Sequence, residues 1–154
     1  MGSGKTTIGQ ALSETLQMRW HDLDQYIEIQ ENQKISEIFK EKGEAYFRNL
    51  EQQYLSKLIR EEGVLSTGGG VVISPANRKA LKKAKSIYLA YPFETLYERI
   101  AGDETRPLAT SYEALKKRFE ERLDWYEAAS GIKINCQNKR VDEIVQEIIT
   151  CLDV

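Results

Sequence analysis

Apolar residues recur in two patterns along the chain, as stretches with three- and four-residue spacing and as short continuous runs. The first pattern predicts amphipathic helices and the second predicts buried strands. Because the two kinds of segment alternate, the sequence predicts an α/β fold with a parallel sheet. The predicted helices are 6–18, 25–33, 36–42, 44–62, 75–83, 92–100, 112–129 and 141–152, and the predicted strands are 19–22, 64–67, 86–90 and 132–134.

Glycine, serine and proline mark several of these boundaries. Gly43 and Gly63 follow amphipathic stretches and predict helix ends. Ser74 followed by Pro75 predicts an N-cap and the first helical residue. The residues at core spacing include Ile8, Leu12, Leu16, Ile35, Ile38, Phe39, Phe47, Leu50, Tyr54, Leu58, Phe119, Leu123, Ile144, Val145, Ile148 and Ile149.

Length and composition are those of one globular domain spanning residues 1–154. Charged residues make up 30% of the chain, and the net charge of −2 gives no overall attraction to nucleic acid or anionic membranes. We therefore expect neither partner, and any anion site must be a local cluster of Arg and Lys. No apolar run approaches the ~20 residues that span a bilayer.

The cysteine and histidine content excludes further classes. Cys136 and Cys151 are too few for a disulfide framework and lack metal-ligand spacing, which favours thiols in a reducing cytosol. His21 is the single histidine, which argues against a histidine-based triad or zinc site. We expect a cytoplasmic monomer.

The first seven residues resemble the second half of a phosphate-binding loop. Gly2, Ser3, Gly4, Lys5, Thr6 and Thr7 match the end of the pattern glycine, four residues, Gly-Lys-Ser/Thr. Glycines let backbone N–H groups meet phosphate oxygens, the lysine reaches the β- and γ-phosphates, and the threonine hydroxyl holds Mg²⁺. A linker or tag remnant is the alternative, but the amphipathic segment that follows favours a loop leading into a helix.

Asp22 and Asp24 flank one residue at the end of a predicted strand. Ligands gather at the carboxyl ends of parallel strands, so both carboxylates are predicted to face the crevice of the phosphate loop. There a carboxylate suits a hard cation, often through water, or an acceptor hydroxyl that must lose its proton. The alternative is that Asp24 caps the next helix.

Gly68, Gly69 and Gly70 directly follow another predicted strand. Glycines at a strand end let the backbone approach a ligand closely, although most glycine runs are simply turns. The position at a strand end makes this run a second candidate for a ligand site.

Arginines supply the candidate anion contacts. Arg48 and Arg122 lie on predicted helices, and Arg106 lies in a polar segment, 102–111, that lacks apolar periodicity. The guanidinium fits carboxylate and phosphate in a bidentate way that lysine cannot reproduce. Surface ion pairing, such as Arg48 with Glu51, is the alternative. For Arg106 we expect a lid that closes over a triphosphate.

Taken in order, these pieces resemble the shikimate kinase family along nearly the whole chain. The matching segments are Gly-Ser-Gly-Lys-Thr-Thr-Ile-Gly, Asp-Leu-Asp, Ile-Phe-Lys-Glu-Lys-Gly-Glu-Ala-Tyr-Phe-Arg-Asn-Leu-Glu, Ser-Thr-Gly-Gly-Gly-Val-Val, Arg-Pro-Leu and Arg-Leu-Asp-Trp-Tyr. The resemblance implies a three-layer α/β/α P-loop fold, related to nucleoside monophosphate kinases. It also implies transfer of a phosphoryl group from ATP, with Mg²⁺, to the 3-hydroxyl of shikimate.

The resemblance implies a role for each matching residue. Lys5 would stabilise the transferring phosphoryl group, Thr6 and Asp22 would hold Mg²⁺, and Asp24 would bind shikimate hydroxyls and act as the candidate base. Arg48 and Arg122 would bind the shikimate carboxylate in a pocket lined by Gly68, Gly69 and Gly70. Arg106 would reach the phosphates, and Arg99, Asn138, Lys139 and Arg140 would lie beside the adenine.

The N-terminus departs from the family pattern, which has an apolar strand and the first glycine of the loop before the matched residues. We therefore expect a truncated product of a parent about ten residues longer, with reduced stability. The rival interpretations are another small-molecule kinase, such as a gluconate or nucleotide kinase, and a defective fragment that binds shikimate without turnover.

Overall fold

The computed structural model describes residues 5–101 and 111–152. Helices and strands alternate as predicted, and their bounds are α1 Lys5–Leu16, β1 Trp20–Asp22, α2 Leu23–Glu31, α3 Ile35–Leu58, β2 Val64–Ser66, α4 Pro75–Lys83, β3 Ile87–Ala90, α5 Phe93–Ala101, α6 Tyr112–Ala129, β4 Ile132–Asn135 and α7 Val141–Leu152. Within these ranges, no helix is both long and apolar enough to cross a membrane. The predicted lid, 102–111, lies outside the described residues except for Ser111.

Every strand pairing among the described residues is parallel. β1 pairs with β2, placing Asp22 beside Ser66, and β3 pairs with β4. Within the described ranges these are two separate pairs and not one continuous sheet. β2 and β3 both border an apolar cavity of about 200 Å³, and no backbone pairing joins them in the described part of the chain.

Two hydrophobic clusters hold the helices against the strands. One contains Leu23 and Ile27 of α2 with the inward face of α3, and the other joins α1 to α7 and β4. Most residues predicted at core spacing are in or against these clusters, including Ile8, Leu12, Ile38, Phe47, Leu50, Leu58, Ile144, Val145 and Ile148. The apolar periodicity therefore identified the buried faces correctly.

Three boundaries show where local chemistry decides the structure. Gly43 has φ 86° and interrupts α3, which confirms a break there although both predicted helices belong to one element. Ser74 caps α4 by accepting a hydrogen bond from the Asn77 N–H, with Pro75 as the first helical residue, as predicted. The Gly68–Gly70 run leads into a 3₁₀ helix, Gly69–Ile73, which we name the glycine turn.

Candidate active site

α1 begins at Lys5, at the end of the predicted phosphate loop. Residues 1–4 lie outside the described residues, so the structure gives no geometry for Gly2, Ser3 and Gly4. Thr6 is half-buried and Thr7 is exposed in the first turn of the helix. The first N–H groups of any helix have no partner within the helix, and with the positive end of the helix dipole they make a helix start suited to an anion.

Thr6 and Asp22, the two predicted magnesium ligands, lie together. The Thr6 hydroxyl donates a hydrogen bond to Oδ2 of the buried Asp22 at 3.3 Å. The other carboxylate oxygen, Oδ1, accepts from the Gln25 N–H at 3.1 Å, so Asp22 is the N-cap of α2. The alternative that Asp24 caps this helix is therefore wrong.

The donor set at Thr6 and Asp22 fits a hard cation. Both side chains offer oxygen, and Mg²⁺ commonly takes one or two protein oxygens and completes its shell with water and phosphate. In the described part of the chain, no group of three or more His, Cys, Asp and Glu residues could hold a metal. The Thr6–Asp22 pair alone is consistent with a cation shared with nucleotide phosphates.

Gly9 lets α1 approach β2 closely. A Cβ added to Gly9 would overlap Oγ of Ser66 and would lie 2.9 Å from Nε1 of Trp20. These two side chains are joined by a hydrogen bond of 3.0 Å from the Trp20 indole to the Ser66 hydroxyl. Because Thr6 lies one turn before Gly9, this close packing sets where Thr6 meets Asp22.

Asp24 lies beside the glycine run. It is in the first turn of α2, and a Cβ added to Gly68 would lie 3.3 Å from Oδ2 of Asp24. Asp22 and Asp24 are two residues apart, so their Cα atoms lie within about 7 Å of each other. One carboxylate therefore faces the start of α1 while the other faces the glycine run.

Arg48 reaches the same region from α3. A Cβ added to Gly70 would overlap its guanidinium. Nη1 of Arg48 donates to Oε1 of Glu51 at 2.9 Å, and Nε lies 3.4 Å from Oε1 of the exposed Glu44. The Arg48 side chain is 23% exposed, which leaves part of its surface accessible.

Glu51 and Arg122 complete this group, which we name the acceptor pocket after the role that we propose for it below: Asp24, Arg48, Glu51, Gly68, Gly70 and Arg122. Burial raises the pKa of Glu51, while its hydrogen bond and charge interaction with Arg48 lower it. Asp24 raises the same pKa further and the half-buried Arg122 of α6 lowers it. Both predicted arginines thus lie close enough to one buried carboxyl group to lower its pKa, and Arg48 contacts it directly.

The residues predicted beside the adenine lie around α5 and α7. The exposed Arg99 has its guanidinium carbon 4.4 Å from the centre of the Tyr91 ring. Lys139 lies 2.7 Å from Glu147, and Nε of Arg140 lies 3.1 Å from Asp142. Asn138 turns the chain with φ 59°. Arg106 lies outside the described residues.

The sequence predicts Glu51 only as a surface partner of Arg48 and indicates no role for Gly9 or Tyr126. The structure buries Glu51 and places the Tyr126 hydroxyl 3.0 Å from the Gly69 carbonyl oxygen. The signal for Glu51 was its spacing, four residues after Phe47 and three before Tyr54, on the apolar face of α3.

The fold is that of the P-loop kinases, as comparison with solved structures shows. A shikimate kinase from Acinetobacter baumannii in complex with shikimate superposes with a TM-score of 0.90 at 31% identity, covering 99% of this chain and 88% of that chain. The shikimate kinase of Aquifex aeolicus vf5 gives a TM-score of 0.88 at 36% identity, covering 99% and 92%.

Sequence comparison narrows this class to one family. A family model described as shikimate kinase matches residues 1–153. A shikimate kinase of Sulfurihydrogenibium sp. (strain YO3AOP1) is 41% identical over 153 residues, covering 97% of this chain and 92% of that protein. Another from Dictyoglomus turgidum is 44% identical over 156 residues, covering 97% and 91%. The chain belongs to the shikimate kinase family.

Proposed function

We propose that this chain transfers the γ-phosphoryl group of ATP to the 3-hydroxyl of shikimate. The observation that carries the proposal is the placement of two adjacent carboxylates. Asp22 faces Thr6 at the start of α1, and Asp24 faces Gly68 in the acceptor pocket. A phosphate site and a carboxylate-binding site are thereby held within two residues of each other, which is the positioning that phosphoryl transfer needs.

The acceptor pocket suits a small polyol that carries a carboxylate. Arg48 and Arg122 bind the carboxylate, because a guanidinium offers two parallel N–H groups to two oxygens. The backbone at Gly68, Gly69 and Gly70 lines the pocket, and the nearness of Gly70 to Arg48 supports this arrangement. Glu51 holds the Arg48 guanidinium from the buried side.

Asp24 binds the acceptor hydroxyl. Its carboxylate lies beside Gly68, at the edge of the glycine run. A carboxylate there accepts a hydrogen bond from the hydroxyl, aligns its oxygen for attack and receives the proton as the phosphoryl group is transferred. No covalent intermediate on the protein is required, since positioning and charge neutralisation supply the catalysis.

The phosphates lie against the start of α1. Backbone N–H groups of Gly2, Ser3, Gly4 and Thr7 surround them, Lys5 contacts the β- and γ-phosphates, and Thr6 and Asp22 would hold Mg²⁺. When bound there, Mg²⁺ would neutralise charge on the phosphate oxygens. The hydrogen bond between Thr6 and Asp22 supports their assignment to one site.

The remaining nucleotide contacts come from later in the chain. Arg106 reaches the phosphates from a lid at 102–111, Arg99 lies beside the adenine, and Asn138, Lys139 and Arg140 close its other side. The left-handed turn at Asn138 supports the last assignment, since it brings the chain round between β4 and α7.

We assign the protein to the cytoplasm as a monomer. The support for a reducing compartment is that Cys136 and Cys151 are both free thiols, one buried and one exposed. Size-exclusion chromatography with light scattering tests this oligomeric state, and we expect the molar mass of a single chain.

A coupled ADP-release assay with and without shikimate tests the proposed reaction. We expect ADP release that depends on shikimate and saturates with it. Arg122→Lys should raise the KM for shikimate roughly ten- to 150-fold, the equivalent of one lost charged hydrogen bond, with little change for ATP. Arg118→Lys is the matched control, because Arg118 is exposed on the same helix. ADP release indifferent to shikimate would refute the proposal.

A further inference from the structure

The carbonyl groups of the glycine turn, Gly69–Ile73, are held by side chains from two helices. The Tyr126 hydroxyl of α6 donates to the Gly69 carbonyl at 3.0 Å. Asn77 of α4 donates to the Val71 carbonyl at 3.0 Å, and Arg78 donates to those of Val72 and Ile73 at 2.7 and 3.0 Å. The two ends of the turn are therefore fixed from different helices.

Of these hydrogen bonds, the one from Tyr126 to the Gly69 carbonyl lies nearest to the acceptor pocket, because Gly68 and Gly70 belong to that pocket. In a trans peptide the carbonyl of one residue and the N–H of the next point in opposite directions. Fixing the Gly69 carbonyl therefore also fixes the Gly70 N–H, in a residue whose Cα faces the Arg48 guanidinium. A glycine pair has wide conformational freedom, so an external hydrogen bond adds a constraint to those of the short 3₁₀ helix.

Tyr126 is itself held in place. Its ring stacks on Tyr88 of β3, with centroids 5.2 Å apart and planes at 24°. It also follows Arg122 by four residues on α6, and side chains at this spacing share one face of a helix. One face of α6 thus carries both an arginine of the acceptor pocket and the anchor of its glycine backbone.

We propose that Tyr126 is a positioning residue for the acceptor carboxylate, acting through the Gly69–Gly70 peptide. This inference rests on the proposed function. Tyr126 does not touch the acceptor. Its hydroxyl orients the backbone against which Arg48 and Arg122 present the carboxylate, and so it affects acceptor binding and not nucleotide binding.

The test compares Tyr126→Phe with Tyr88→Phe. Phenylalanine keeps the stacked ring and loses only the hydroxyl, and Asn77 and Arg78 still hold the rest of the turn, so Tyr126→Phe should fold. We expect its dissociation constant and KM for shikimate to rise roughly three- to tenfold, with the KM for ATP within about twofold of the parent. Tyr88→Phe should leave both constants unchanged.

Discrimination between shikimate and its methyl ester separates positioning from a general loss of structure. The preference is the ratio of kcat/KM for shikimate to kcat/KM for the methyl ester. It should fall roughly three- to tenfold in Tyr126→Phe, because the displaced backbone weakens binding of the carboxylate. An unchanged preference, or an equal rise in the KM for ATP, would overturn the proposal.

Calorimetry of shikimate binding provides a reading independent of turnover. If the unsubstituted chain binds shikimate but releases no ADP, the proposed function alone is refuted. If it neither binds shikimate nor releases ADP, the proposed function and the role of Tyr126 are both overturned.

Discussion

Nη1 of Arg48 lies 2.9 Å from Oε1 of Glu51, although the Glu51 side chain is only 2% exposed and that of Arg48 is 23% exposed. The pair therefore has a buried acidic end and a more accessible basic end. Removing a carboxylate from water is costly, and Arg48 offsets part of that cost. The arrangement leaves the guanidinium at the edge of the acceptor pocket, beside Gly70.

Glu51→Gln should weaken acceptor binding. Glutamine still accepts a hydrogen bond from Arg48, but the charge that holds the guanidinium is lost, so Arg48 samples other partners such as Glu44. We expect the KM for shikimate to rise roughly three- to tenfold, while the KM for ATP stays within about twofold. Glu44→Gln is the control, because Glu44 contacts the same arginine from an exposed position. Equal effects on both substrates would contradict a role for Glu51 in holding Arg48.

The same substitution should change how stability depends on pH. Burial raises the pKa of Glu51 above its ordinary value of 4.5, against the lowering effect of Arg48. A carboxyl group whose pKa rises on folding stabilises the folded state below its unfolded pKa, and this contribution is lost as pH rises through the folded pKa. Glutamine does not titrate. The free energy of unfolding of Glu51→Gln minus that of the unsubstituted chain should therefore increase as the pH rises above 4.5.

Urea unfolding at several pH values between about 4 and 8 measures that difference. The test is the change of this difference with pH, because loss of the Glu51 charge beside Arg48 also shifts the free energy of unfolding by an amount that does not depend on pH. A difference that stays flat over this range, or decreases with pH, would show that the folded protein does not raise the pKa of Glu51.

The helices were the most predictable part of the fold because their signals are local. α7 was predicted to the residue, 141–152, from its apolar periodicity and the turn expected at 138–140, and Ser74-Pro75 marked the start of α4. Helix α3 ends at Leu58, earlier than the predicted 62. No local pattern indicated that the strands form two separate pairs, since pairing depends on contacts between distant segments.

The acceptor pocket was predictable only in part. Motif order indicated Asp24, Arg48 and Arg122, which lie on three helices and all influence the pKa of Glu51. The burial of Glu51 could not be read from its spacing alone, because one acidic residue on an apolar face is also compatible with an exposed ion pair. The Tyr126 hydrogen bond joins residues 57 positions apart, and no local pattern marks such a contact.

Gly70→Ala should impair acceptor binding without unfolding the protein. The added Cβ would overlap the end of the Arg48 side chain, which can swing aside, while the backbone of Gly70 is not at positive φ. We expect the KM for shikimate to rise roughly tenfold or more as the guanidinium leaves its place, with a small change in thermal stability. Steady-state kinetics and thermal unfolding measure the two effects.

Gly131→Ala is the control for Gly70→Ala. A Cβ at Gly131 would have Ser86 O as its nearest neighbour at 4.0 Å, and this glycine is also not at positive φ. It should leave both KM values unchanged. If Gly70→Ala behaves like Gly131→Ala, the guanidinium of Arg48 does not need its present position to bind the acceptor.

The last prediction concerns Gly9, where two physical effects have opposite signs. Alanine is favoured over glycine inside a helix by about 0.8–1.0 kcal/mol, so Gly9→Ala would stabilise α1 if space allowed. The Cβ would instead overlap Oγ of Ser66 and press on the Trp20 indole, both on the neighbouring strands. We expect the overlap to prevail, because α1 must move away from β2. Thr6 would then separate from Asp22, lowering the melting temperature and raising the KM for ATP more than that for shikimate.

Adding Ser66→Ala to Gly9→Ala removes the atom nearest to the new Cβ, so it should restore part of the melting temperature and part of the affinity for ATP. A more stable Gly9→Ala with an unchanged KM for ATP would show that helix propensity prevails and that the close packing of α1 on β2 does not position Thr6.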